Sequence, residues 1–125
     1  MRQNLGELAA AAALRGPPRA REYGIGRLYR DSARLVGLVD DQGAANVGVV
    51  IDTGHRNLSG DPAAALHLVR DHLITLHLHD NHGERDEHLL PGRSDIAWDE
   101  VMRAHSTGVY PGVLMYEVNR VEDLG

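Results

Sequence analysis

The sequence predicts an α/β fold in which parallel strands alternate with helices. Three short apolar runs show almost no polar alternation, as expected for strands buried on both faces: Asn46 to Ile51, Leu73 to Leu78 and Val113 to Val118. Segments with helical patterns separate these runs, and short connections between parallel strands favour right-handed βαβ units. Ligands in such folds bind beyond the carboxyl ends of the strands, so a site is expected at that edge.

The amino-terminal third has the weakest pattern. Asn4 to Arg15 is rich in helix formers and stops at a Gly-Pro-Pro sequence, which predicts a helix. Tyr23 to Gly26 is a candidate short strand, although its two glycines weaken it. Asp31 or Ser32 can then cap a helix that ends near Gln42.

Two more helices are predicted between the apolar runs. Asp61 caps the first of them and Pro62 occupies its first position, where proline is favoured. The second is expected to start at the Ser94-Asp95 cap and to end at Gly108. Its apolar side is formed by Ile96, Trp98, Val101 and Met102.

Length and composition indicate one cytoplasmic domain. The chain has 125 residues, of which 42% are hydrophobic, which suffices for one domain and not for two. The net charge of -5 and the scattered arginines provide no basic face for nucleic acid. Without cysteine there is neither a disulfide framework nor a thiolate metal site. No apolar run approaches the roughly 20 residues that span a bilayer, so no membrane partner is expected.

The loop after the central apolar run is dense in imidazoles and carboxylates. Together with the end of the run it contains His77, His79, Asp80, His82, Glu84, Asp86, Glu87 and His88. Neutral histidine nitrogen and anionic oxygen suit borderline and hard divalent cations, whereas ordinary surface loops favour Ser, Asn, Gly and Lys. The pattern therefore favours a metal site, with an acidic, solvated loop as the alternative.

The strand ends carry chemically active residues that the topology should bring together. Asp52, His77 and Glu117 each lie at the end of a predicted strand. His55 can face the same edge, and His79 should share a face with His77 because strand side chains repeat with period two. Glu117 is the most diagnostic, since an ionised carboxylate embedded in an apolar strand is costly unless a cation or hydrogen bonds compensate it. The alternatives are a turn cap for Asp52 and a loop hydrogen bond for His55.

Four motifs, in order, resemble the second half of the xylose isomerase-like TIM barrels. They are Val47 to His55, His77 to Asn81, Asp86 to Gly92 followed by Asp95 to Trp98, and Tyr116 to Val118. This superfamily contains sugar-phosphate isomerases and epimerases, ketose 3-epimerases and endonuclease IV-type enzymes. A complete barrel needs about 250 residues. The resemblance thus implies that residues 1–125 are a single domain, the carboxyl-terminal half of a TIM barrel, with 1–42 as poorly matched lead-in helices.

The resemblance also implies a site and a reaction. A divalent metal (Mn, Mg, Co or Zn) would be held by Asp52, His77 and Glu117, with Glu117 also acting as an acid-base residue. Substrate contact or a second metal would fall to His55, Asp86 and His88. The implied reaction is proton abstraction beside the carbonyl of a sugar or sugar phosphate, with the metal stabilising the enediolate charge.

Two residues depart from the family pattern. Gly26 stands where the family has a further metal-binding Glu, so one of two catalytic carboxylates is missing from its usual place. Arg93 stands where the family has a Glu in a Pro-Gly-Glu-Gly run, and it is either a phosphate ligand or a solvated side chain.

The short length leaves several functional alternatives open. A half barrel has two unpaired parallel edges, which predicts a homo-oligomer or pairing with an amino-terminal half barrel. An endonuclease IV-like zinc phosphodiesterase is one alternative function, with His55, Asp86 and His88 binding extra zinc. An inactive truncated fragment, or a subunit that needs a partner, is the other.

Overall fold

The computed structural model describes residues 19–21, 31–41, 43, 47–109 and 112–119. The strands are β1 (Arg19–Arg21), β2 (Val47–Asp52), β3 (Leu73–Leu78) and β4 (Leu114–Tyr116). The helices are α1 (Ser32–Asp40), α2 (Thr53–Asn57), α3 (Pro62–Val69) and α4 (Trp98–Ala104), with a 3-10 turn at Arg70–His72 and a π-helical turn at His105–Val109. The predicted helix from Asn4 to Arg15 and the candidate strand from Tyr23 to Gly26 lie outside the described residues.

The four strands form one parallel sheet in the order β1-β2-β3-β4. This arrangement confirms the predicted α/β class with strands that alternate with helices. Asp52 at the end of β2 is in register with His77 of β3, and His77 is in register with Met115 of β4. Because neighbouring parallel strands end at the same edge, the register alone brings the predicted site residues together.

One face of the sheet is buried against the helices. Core side chains from the strands and helices include Val49, Ile51, Ala65, Leu66, Val69, Leu76, Leu78 and Val101. Side chains alternate along a strand, so the residues next to these core positions, including Asp52 and His77, belong to the opposite face of the sheet. Packing against the helices therefore provides the hydrophobic free energy, and the opposite face carries the polar side chains of Asp52 and His77.

The predicted helix starts at Asp31 and Asp61 are confirmed. The Asp31 carboxylate accepts hydrogen bonds from the amides of Ala33 and Arg34, at 3.1 and 3.2 Å. The Asp61 carboxylate accepts from the Ala63 amide at 2.8 Å, with Pro62 at the first position of α3. Both caps satisfy amides that the first helical turn leaves unpaired, which is why the local sequence predicts them.

Three predictions about the last third of the chain were wrong. Helix α4 begins at Trp98 instead of at the Ser94-Asp95 cap, because the Ser94 amide donates to Asp80 at 3.0 Å and is held in the loop. Gly108 does not end the helix, since the π-helical turn runs to Val109. Strand β4 stops at Tyr116, so Glu117 follows the strand and is not embedded in it.

None of the helices in the described residues is long and apolar enough to cross a membrane.

Candidate metal centre

Asp52 is placed by the end of β2 and by the start of α2. The segment after Asp52, for which the sequence left a turn as the alternative, is the short helix α2, and Asp52 is its N-cap. The Asp52 Oδ1 atom accepts a hydrogen bond from the His55 amide at 2.8 Å. This hydrogen bond fixes the almost completely buried Asp52 side chain, so the direction of its second oxygen, Oδ2, is also fixed.

Asp52, His77 and Glu117 form the first cluster. One ligand atom from each of the three lies within 4.8 Å of the others. His77 Nδ1 is 2.9 Å from Glu117 Oε1 and 4.0 Å from Asp52 Oδ2. The Glu117 amide donates to the Leu78 carbonyl at 3.1 Å, which continues the β3–β4 alignment beyond the strand and brings Glu117 beside His77.

The burial that was expected to make Glu117 diagnostic is not observed. Its side chain is 32% exposed, so the desolvation penalty argued for an embedded carboxylate does not apply. The exposure leaves the Glu117 carboxylate accessible to a molecule approaching the carboxyl edge of the sheet.

The first cluster fits a divalent cation. Asp52 Oδ2 is buried and accepts no hydrogen bond from the described residues. A buried carboxylate oxygen without a donor is costly, and a cation bound beside it removes that cost. Two carboxylates and one imidazole suit Mn, Co and Zn, and the oxygen-rich set also accommodates Mg.

A second cluster comprises His55, His79, Asp86 and His88. The Asp86 carboxylate joins two of the imidazoles: Oδ2 is 3.1 Å from His55 Nε2, and Oδ1 is 3.2 Å from His88 Nε2. His88 Nδ1 donates to the Glu117 carbonyl at 2.7 Å, which leaves His88 Nε2 as the nitrogen with a lone pair. This nitrogen-rich set suits Zn or Co.

Asp80, which the sequence indicated only as one donor among many in the loop, holds that loop in place. Its Oδ2 atom accepts from the Gly92 amide, the Ser94 amide and the Trp98 indole N–H, at 3.0, 3.0 and 2.7 Å. Its backbone exchanges two hydrogen bonds with Leu89, next to His88, at 2.8 and 2.9 Å. Asp80 is fully buried and belongs to neither cluster, so its role is structural.

Three polar residues that the sequence did not single out tie α2 to the end of β3. Thr53 Oγ1 donates to the His79 carbonyl at 2.8 Å and accepts from the His79 amide at 3.1 Å. Asn81 Nδ2 donates to the Gly54 carbonyl at 2.9 Å, and Asn57 Nδ2 donates to the Asn81 carbonyl at 3.0 Å. The only local signal was a run of polar residues directly after each strand.

The charge states of Asp52 and His79 are coupled. Burial by itself raises the pKa of Asp52, but the His79 contact and the His55 amide outweigh it and lower the pKa below its usual range. Burial by itself lowers the pKa of His79, but Asp52 and Asp86 outweigh it and raise that pKa. The pair is therefore stabilised as carboxylate and imidazolium when no cation is bound.

The remaining predicted site residues lie in different surroundings. His79 is fully buried in the second cluster. Arg93 is exposed in the turn between Leu90 and Ser94 and belongs to neither cluster of the described residues. Gly26 lies outside the described part of the chain.

Comparison with known protein families identifies the fold. Residues 1–124 match the family described as the xylose isomerase-like TIM barrel. An uncharacterized protein of Methanocaldococcus jannaschii is 34% identical over 92 residues, which are 71% of this chain and 31% of that protein. An uncharacterized protein of Sinorhizobium fredii is 40% identical over 73 residues, which are 57% of this chain and 23% of that protein.

Solved structures share the architecture. A D-tagatose 3-epimerase-like protein is 30% identical, with a TM-score of 0.81 over 98% of this chain and 48% of its own. The 3-keto-D-glucoside 4-epimerase of E. coli is 25% identical, with a TM-score of 0.74 over 98% of this chain and 46% of its own. An L-ribulose 3-epimerase at 20% identity shares the fold, with a TM-score of 0.80 over 40% of its length. The predicted partial TIM barrel is confirmed, and the chain spans less than half the length of these relatives.

Proposed function

Because this chain belongs to the xylose isomerase-like TIM barrel family, we propose that it is the metal-dependent domain of a sugar or sugar-phosphate isomerase or epimerase. The observation that carries the proposal is the first cluster, in which Asp52, His77 and Glu117 converge from three neighbouring strand ends. The epimerases among the similar structures support the reaction class.

In this proposal, Asp52, His77 and Glu117 hold one divalent ion. The ion would supply positive charge beside the carbonyl and hydroxyl oxygens of the sugar, which favours loss of a proton from the adjacent carbon. Glu117 is the proposed base, because its carboxylate is partly exposed at the carboxyl edge of the sheet and lies 2.9 Å from His77. The buried Asp52 is unsuited to that task, since it is enclosed and engaged with the His55 amide.

The second cluster has two candidate roles. His55, Asp86 and His88 either contact the sugar or bind a second ion. The 3.1 and 3.2 Å contacts of Asp86 with the two imidazoles support a site at which one small ligand touches all three side chains.

We expect a complete active site to need residues in addition to those of this chain. Similar structures are about twice as long, and by the family resemblance Gly26 would stand where a further metal-binding carboxylate is expected. The proposed partner is therefore a second copy of the chain or an amino-terminal half barrel, either of which would complete the sheet. Without such a partner, the chain would bind metal but not turn over substrate, which corresponds to the inactive-fragment alternative.

Thermal unfolding with and without Mn²⁺, Co²⁺ or Zn²⁺ tests the metal assignment. A ligand that binds only the folded state stabilises it by about 2.7 kcal/mol at a hundredfold excess over its Kd. The parent chain and His72→Ala should both be stabilised, because His72 pairs with Asp40 outside the two clusters. His77→Ala should lose the effect. An equal metal response in His77→Ala and His72→Ala would refute the assignment of the first cluster.

A zinc-dependent phosphodiesterase is the second candidate function. The assembled second cluster favours it, because the two imidazoles of His55 and His88 and the carboxylate of Asp86 suit zinc. The net charge of -5 opposes binding to a nucleic-acid backbone. A nicking assay on duplex DNA with an abasic site, with and without Zn²⁺, separates the two functions: zinc-dependent cleavage lost in His88→Ala would favour the phosphodiesterase.

A further inference from the structure

His79 belongs to the second cluster and also lies against Asp52 of the first cluster. It follows directly after β3, and its side chain is fully buried. The Thr53 hydroxyl binds both the amide and the carbonyl of His79, so the backbone of His79 is fixed to the start of α2. A Cβ added at Gly54 would overlap the His79 ring, so the imidazole fills the space that this glycine leaves.

The His79 ring contacts both clusters at once. Its Nε2 atom is 2.7 Å from Asp52 Oδ1, in the first cluster. Its face stacks on the His88 ring, in the second cluster, at a centroid distance of 3.9 Å and an interplanar angle of 10°. Imidazole lone pairs lie in the ring plane, so two stacked rings cannot both direct theirs at one ion. This arrangement favours a contact of His79 with Asp52 over a shared ion with His88.

We propose that His79 is a positioning residue that orients Asp52 for the first cluster. The proposal rests on the proposed function in one respect, namely that the first cluster binds a divalent ion. Asp52 has two carboxylate oxygens; the His55 amide donates a hydrogen bond to Oδ1, and His79 Nε2 lies 2.7 Å from the same oxygen. The other oxygen, Oδ2, is thereby left on the side of His77, 4.0 Å from its Nδ1. Partners of this kind orient metal ligands and typically change metal affinity by roughly 10- to 100-fold.

Two substitutions distinguish the contribution of the His79 Nε2 atom from that of the stacked ring. His79→Gln keeps a polar N–H near the position of Nε2 and loses the stacked ring, whereas His79→Phe keeps a stacked ring and loses the nitrogen. Titration calorimetry with Mn²⁺ should show an affinity within about threefold of the parent for the Gln variant. The Phe variant should be weaker by at least roughly tenfold. His67→Gln is the matched control, because His67 is exposed on α3.

Two calorimetric outcomes would overturn the proposal. Equal losses in the Gln and Phe variants would mean that His79 only fills space. A Phe variant that keeps the first binding event and loses a second one would make His79 a ligand of the second cluster instead.

A metal-free measurement keeps this test separate from the proposed function. In the presence of EDTA, hydrogen exchange of the His55 amide reports whether Asp52 Oδ1 is still held. Exchange should quicken by roughly fivefold in His79→Phe and stay near the parent value in His79→Gln. Quickened exchange in the Gln variant would overturn the proposal even if the Phe variant fails to fold. A parent chain that binds no Mn²⁺ would defeat the proposed function, while the exchange result would still decide whether His79 orients Asp52.

Discussion

Asp52 combines an observed structural role with a proposed role as a metal ligand. As the N-cap of α2 it accepts a hydrogen bond from the His55 amide, and as a member of the first cluster it directs Oδ2 towards His77. Both roles need the same buried, oriented carboxylate, so the cap supplies the preorganisation that a metal ligand requires. Asp52 caps a helix and not the helix-free turn that the sequence left as the alternative, and this helix cap is compatible with the metal assignment.

Gly54→Ala should destabilise the chain by about 1 to 3 kcal/mol, because the new Cβ would overlap the His79 ring in a close-packed site. Urea denaturation measures this change. Gly37→Ala is the control, since a Cβ at Gly37, within α1, would meet no heavy atom of the described residues within 4 Å apart from the backbone of its own helix and its chain neighbours. Alanine there should be neutral or stabilising by up to about 1 kcal/mol. Similar free energies of unfolding for the two variants would contradict the close approach at Gly54.

The opposed pKa shifts of Asp52 and His79 predict how stability depends on pH in EDTA. The lowered pKa of Asp52 stabilises the fold above about pH 3.9, and this contribution disappears as the pH falls through the folded-state pKa. The raised pKa of His79 stabilises the fold below about pH 6.5, and this contribution disappears as the pH rises through the folded-state pKa. The pair therefore contributes fully between about pH 4 and about pH 6.5.

Urea unfolding of the parent and of His79→Gln at about pH 5.5 and about pH 8.5 checks this expectation. The parent should lose more stability than the variant between the two pH values, because glutamine does not titrate. The same loss in both chains would attribute the pH dependence to other groups.

At the scale of elements, the connection from β3 to α4 is the part that builds the second cluster. It contributes His79, Asp86 and His88, and many hydrogen bonds order it. His82 Nδ1 lies 2.8 Å from Glu87 Oε2, and the Asp80 carboxylate accepts from the Gly92 and Ser94 amides in the loop and from the Trp98 indole at the start of α4. A loop satisfied in this way can present ligands at fixed positions.

Trp98→Phe should destabilise the chain by about 2 kcal/mol, because it removes the indole N–H that donates to the buried Asp80 carboxylate at 2.7 Å. The midpoint of urea unfolding measures the loss. Tyr116→Phe serves as the control, since Tyr116 is 60% exposed and its truncation should change stability by less than about 0.5 kcal/mol. A Trp98→Phe chain as stable as that control would show that Asp80 does not depend on the indole.

At the scale of the whole molecule, the sheet is half of a barrel. Among the described residues, β1 and β4 each pair with one strand only. Apolar side chains are exposed around β4, with Val113 at 76% and Met115 at 48%. Open parallel edges and exposed apolar surface favour association. They support the prediction that the chain pairs with a second copy or with an amino-terminal half barrel.

Sedimentation analysis of the purified chain tests this prediction. The parent should sediment as a dimer or larger species, and Met115→Lys should shift it towards the monomer, because a charge beside β4 opposes edge pairing. Leu68→Lys is the matched control, since Leu68 is 52% exposed on α3, away from the sheet edge. A monomeric parent would argue against self-pairing and leave the amino-terminal half as the expected partner.

The local sequence was sufficient to predict strands β2 and β3, the starts of α1 and α3, and the convergence of the first cluster. Apolar runs, the Asp31 and Asp61 caps and Pro62 depend on neighbours along the chain, so pattern and capping predict them. The convergence of Asp52, His77 and Glu117 follows from the topology, since parallel strands end at one edge. The start of α4 could not be predicted from neighbouring residues, because the Ser94 amide donates to Asp80, which is distant in sequence.

Tertiary structure alone decided what surrounds those residues. The burial of His79, the Asp80 hydrogen bonds and the division of the histidines into two clusters depend on contacts between residues far apart in sequence. Glu117 was predicted inside a strand, but in the structure it follows β4 and its side chain is partly exposed. Periodicity describes which face a side chain takes, but not which distant donor reaches it, because that depends on how the elements pack.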